Sequence, residues 1–238
     1  SSMSFDKTAP TLTAVSIESN NDNDTTLAKA GNIVTLTINA NETIQEPTCV
    51  FPDLASDGVT VSGSGSNWTC SVTTATNDTA GVIAFEIDAF DSAGNALVQV
   101  TQADSIVTNS VTFDDTAPTL TAVSISSSNS ATSLAKPGDT VTLTFTADTP
   151  LAADPTCTFT TDNDAVSSTV TVADTSDDGT GWTCVVPMVT GDTDGPVSFT
   201  INATDLAGNS LSPVTSVTDE SSMSFDKTAP TLTAVSIE

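Results

Sequence analysis

Short runs of alternating apolar and polar residues dominate this chain. Val34, Leu36 and Ile38 alternate with threonines, and Ile83, Phe85 and Ile87 form a second series of the same kind. Val141, Leu143 and Phe145, then Val197, Phe199 and Ile201, repeat both series farther along. A period of two puts every second side chain on one face of a strand, so these residues are the expected buried faces. Thr, Val, Ser and Ile fill the runs, and no long stretch carries apolar residues at helical spacing, so the pattern predicts an all-β protein. In the first half, strands are predicted over residues 11–17, 33–40, 48–51, 59–62, 68–73, 82–90 and 97–111. Gly31 and Gly138 precede the second strand of each half, and the tetrads AGNA and AGNS follow the sixth, where the chain must turn.

The pattern is also duplicated outright. SSMSFDKTAPTLTAVSIE occupies residues 1–18 and again 221–238 without a change, a period of 220 residues. Between them, VTFDDTAPTLTAVSIS (111–126) sets Asp114, Ala117, Pro118, Leu120, Val123 and Ile125 where Asp6, Ala9, Pro10, Leu12, Val15 and Ile17 stand. Each long repeat is therefore a pair of related units, and self-similarity at a fixed spacing marks an array of modules. The expected domains are 6–113 and 114–225, with 1–5 as the end of a preceding linker and 226–238 as the first strand of the next repeat. In that last stretch Leu232, Val235 and Ile237 are expected to stand without a sheet of their own. A window on a continuous repeat is the favoured expectation, and a strand completing a neighbouring molecule is the alternative. Pro10 and Pro118, each after Thr-Ala, predict an extended and semi-rigid entry into each unit.

Seven short strands in each unit argue for tandem antiparallel β-sandwiches of immunoglobulin type. The segments DDTAPTLTAVSI, LAKPGDTVTLTFTAD and GPVSFTINATDLAGN, in that order, resemble the tandem bacterial immunoglobulin-like repeats of large secreted surface adhesins and biofilm-associated proteins. The resemblance spans both units. It implies extender modules that hold an adhesive tip away from a cell, at the cell surface or otherwise outside the cell. Such repeats usually lack cysteine, and this chain departs from them in carrying two in each unit.

Thirty acidic residues against four lysines, with no His, give a formal net charge of -26. A chain so charged cannot neutralise phosphates, so nucleic acid is not an expected partner, and anionic membrane surfaces would repel it. No run of about eighteen apolar residues predicts membrane insertion, and no charged-then-apolar signal segment opens the chain. Acidity alone would suggest disorder, but 37% of the residues are hydrophobic and fall into regular runs, so folding is expected.

Cys49 and Cys70 align with Cys157 and Cys184, within PTCVF and NWTC, then PTCTF and GWTC. Matched pairs in a chain that looks secreted read as one disulfide inside each unit, between the third and fifth strands. Reduced core thiols are the alternative, and two cysteines without histidine do not make a zinc site. On alternation, Trp68 and Trp182 share strand faces with Cys70 and Cys184, and both look buried.

Acidic residues gather where units should meet. Asp6, Asp91 and Asn95 form one expected set, and Asp114, Asp115, Asp205 and Asn209 another, with Asp22, Asp24 and Asp78 on loops facing the central junction. Convergent oxygen ligands suit Ca²⁺, which would stiffen a joint; no cofactor is otherwise required. The alternative is that these are ordinary turn residues, the Asp of DLAGN capping backbone groups. Asn23, Asn41, Asn67, Asn77 and Asn202 head glycosylation sequons. Lys29 and Lys136, each in a loop before a glycine, are expected to be exposed. With no His, no Arg and no Gly-rich phosphate loop, the chain is not expected to be an enzyme. The expected function is a structural repeat of an extracellular fibre, stalk or adhesin, with neighbouring copies of the same repeat as partners. The alternative is a carbohydrate- or protein-binding adhesion module.

Overall fold

The computed structural model describes residues 5–55 and 58–236, and among these it contains strands, turns and irregular segments but no helix. It divides into two compact units, one of residues up to 116 together with 206–208, the other of residues 117–205 and those from 209 onward.

In the first unit the strands are β1 (Leu12–Ser19), β2 (Leu27–Ala28), β3 (Ile33–Ala40), β4 (Thr48–Val50), β5 (Thr60–Ser64), β6 (Asn67–Thr73), β7 (Gly81–Val82), β8 (Glu86–Asp88), β9 (Val100–Thr101) and β10 (Thr112–Phe113). One sheet runs β1-β3-β6-β5 and is antiparallel throughout. The others are β4-β8-β9 and β2-β10-β7, in which β2 joins β10 in parallel. Val15, Ile17, Val34, Leu36, Ile38 and Val72 from the first sheet meet Ile87, Val100, Ala28 and Phe113 from the others in one buried core. Alternation is the cause. Every predicted inward residue of β3 is buried, and so are Ile83, Phe85 and Ile87. Gly63 is needed where β5 turns into β6, because with φ at 135° a Cβ there would stand 2.3 Å from the Asn67 carbonyl oxygen.

The second unit repeats this plan with β11 (Leu120–Ser127), β12 (Leu134–Ala135), β13 (Thr140–Ala147), β14 (Thr156–Thr161), β15 (Asp164–Ala165), β16 (Thr171–Asp174), β17 (Gly181–Pro187), β18 (Gly195–Asn202) and β19 (Ser224–Phe225). One sheet runs β11-β13-β17-β16 and the other β12-β19-β18-β14-β15. Val123, Val141, Leu143, Phe145, Phe199, Ile201, Met223 and Phe225 form its core.

Two predicted strands of the first unit break. The stretch 82–90 is ordered as β7 and β8 only, because Asp53 Oδ2 accepts the Ala84 N–H at 3.0 Å while Ile83 N–H donates to Val111 O, so the strand pairs with two sheets in turn. The stretch 97–111 keeps only β9. Asp104 turns the chain by accepting the Thr101 N–H at 2.8 Å, and residues 106–108 then cross to bond the edge of β1 through Val15. Neither β2 nor β12 was expected, since two residues are too few to show a period.

Candidate functional site

The chemistry that sequence singled out lies in the cross-linked cores and in the acidic loops. Cys49 on β4 is bonded to Cys70 on β6, and Cys157 on β14 to Cys184 on β17, each bridge joining the unit's two faces within the core. No cysteine is free. Disulfides of this kind form and persist in an oxidising environment, outside the cytosol. Trp182 is buried beside its bridge, whereas Trp68 is half-buried, contrary to expectation. The Trp68 indole N–H donates to Gly65 O at 3.2 Å and the Trp182 indole N–H to Gly179 O at 3.0 Å, so the same bond holds a half-buried ring in one unit and a buried one in the other.

The acidic loops are built as turns. Asp91 is buried; its Oδ1 accepts the N–H groups of Ala93 and Asn95, both at 2.8 Å, and its Oδ2 accepts the Asn95 side-chain amide at 2.6 Å. The Asn95 side chain chiefly holds the Asp91 carboxyl below the usual carboxylate range, against the opposing effect of desolvation and with help from the backbone donors. Asp205 repeats the device, accepting the Asn209 N–H at 2.8 Å and its side-chain amide at 3.0 Å. Asp114 accepts the Thr116 N–H at 2.9 Å, and Asp115 accepts the Ala30 N–H at 3.1 Å. Asp24 caps Thr26, and Asp78 binds the N–H groups of Ala55 and Ala75.

Carboxylate oxygens of Asp6, Glu42 and Asp91 lie within 4.8 Å of one another. Asp6 and Asp91 were expected together; Glu42 was not. Its place was legible all the same, as it follows the second strand and so reaches the end of the unit that carries the loop after the sixth. With one oxygen from each, three carboxylates supply three of the six to eight oxygens that Ca²⁺ takes. Asp91 is moreover already engaged by Asn95.

Lys136 is exposed as expected and pairs with Asp139 at 2.9 Å, but Lys29 is half-buried. The loops compare closely: Asn32 Oδ1 accepts the Lys29 N–H at 2.8 Å, and Asp139 Oδ2 accepts the Lys136 N–H at 2.9 Å. All five sequon asparagines are exposed.

No protein-family profile matches the chain, and no curated protein matches it. A solved structure titled "Anomalous substructure of Titin-A168169" aligns with 93% of this chain and 100% of that chain at 13% identity, with a TM-score of 0.30. An overlap at that score carries no argument here. No helix of the chain is long and apolar enough to cross a membrane, among the described residues.

Proposed function

We propose that the chain is a structural repeat of an extracellular fibre, stalk or adhesin, made of two immunoglobulin-like modules in tandem with a mechanical and non-catalytic role. The observation that supports this is how the repeated segment is used. In its middle copy, Val111 and Phe113 close the first core, and Val123 and Ile125 open the second. One continuous stretch therefore ends one module and begins the next, as the joint of a tandem array must. The disulfides suit the same role, since each ties the two faces of a module together where shear would part them.

Single-molecule stretching tests the proposal. The oxidised chain should give two discrete unfolding events. Reduction should lengthen one by about 70 Å and the other by about 90 Å, because the bridges close loops with separations of 21 and 27 residues and an extended residue spans about 3.4 Å. A smooth extension without steps would contradict a mechanical role.

A further inference from the structure

The two units share a core plan but differ on one outer face. β4 sets Val50 against Glu86 and Thr48 against Asp88, and in the same register β14 sets Thr158 against Thr200 and Thr156 against Asn202. Glu86, Asp88 and Phe90 alternate with the buried Phe85, Ile87 and Ala89, so they face outward. Phe90 is 48% exposed and Val50 44%, where the second unit has Thr204 and Thr158. The second unit forms its core with threonine at both places, so the fold does not require apolar groups there. Among the described residues, neither Glu86 nor Asp88 has a lysine partner; both accept the Gln99 side-chain amide, at 3.4 and 3.1 Å. Gln99 also borders an apolar groove of about 240 Å³ between Pro10, Leu12, Leu97, Val98 and Ile106.

We propose that this face of the first unit binds a polypeptide segment that presents basic side chains beside apolar ones. The basic groups meet Glu86 and Asp88, which have no ion-pair partner among the described residues, and the apolar groups cover Val50 and Phe90. An exposed aromatic provides contact area, and the acids set the partner's charge and register. The inference is independent of the mechanical role and stands or falls apart from it.

The test is titration of a labelled alternating lysine–valine octapeptide into the oxidised chain at about 0.15 M salt, where diffuse attraction is screened beyond about 8 Å. Binding should weaken by about tenfold or more, a difference of about 1.4 kcal/mol, in V50T/F90T and again in E86T/D88N. Grafting T158V/T200E/N202D/T204F onto the second unit of a chain carrying all four first-unit changes should restore it, which keeps the test decisive should the first-unit variants misfold. The proposal is overturned if the peptide does not bind, if the graft gains nothing, or if a lysine–serine peptide or spermine binds equally well. The last result would leave only the attraction of a highly negative chain for any cation.

Discussion

Within residues 1–238, two copies of one sequence meet different neighbours. In the first copy Phe5 is 88% exposed while Leu12 and Val15 are buried at 7% and 0%; in the second Phe225 is 1% exposed while Leu232 and Val235 stand at 87% and 78%. What is local survives unchanged. Asp6 accepts the Thr8 N–H at 2.9 Å, and Asp226 accepts the Thr228 N–H at 2.7 Å, the same turn in both. What is long-range differs, because Phe225 lies in β19 between β12 and β18, and Leu12 lies in β1 beside β3. Strand formation here is decided by the neighbouring sheet and not by the segment's own preferences.

The largest consequence concerns the phenylalanines. Phe225→Ala should destabilise the second unit by about 3–5 kcal/mol, and Phe5→Ala should change nothing beyond about 0.5 kcal/mol, by denaturant unfolding. Similar costs for both would break the comparison. Next come the bridges. Replacing Cys49 and Cys70 with alanine should cost the first unit about 3 kcal/mol, and the effect of Phe225→Ala should add to it unchanged if the units unfold independently. Trp68 and Trp182 provide one fluorescent reporter in each unit.

The smallest effect is one of pH. Asp194 accepts the Lys227 N–H and the Thr228 hydroxyl, both at 2.7 Å. These bonds, the Lys227 backbone first, hold its carboxyl below the usual carboxylate range. A lowered folded value means that the group stabilises the fold above the unfolded value of about 3.9, and that this contribution is lost as pH falls through the lowered value. The Lys227 amide resonance should therefore titrate below pH of about 3.9, and Asp194→Ala should abolish the titration. The Lys7 amide, in identical sequence, is the control; an identical titration there would dissolve the distinction.

Much of this was legible from residues two apart. Val34, Leu36 and Ile38 announce their buried face, matched cysteines announce the bridges, and the Asp of each AGN loop suits a cap. The rest depends on contacts distant in sequence. Nothing near Ile83 reveals that Asp53 will take the place of a ladder partner. The partial exposure of Trp68 is likewise not legible in the strand pattern, which gives Trp68 and Trp182 the same place beside a bridged cysteine. Ile237, expected to stand with Leu232 and Val235, lies outside the described residues.

Amide hydrogen exchange resolved by NMR tests most directly the claim that the repeated segment becomes a strand only where a neighbouring sheet meets it. The Val15 amide, bonded to Ile106 O, should be protected while the Val235 amide exchanges freely. The order should reverse at the other half, with the Asp226 amide, bonded to Ala135 O, protected and the Asp6 amide free. Equal protection of the two copies at both halves would contradict the account.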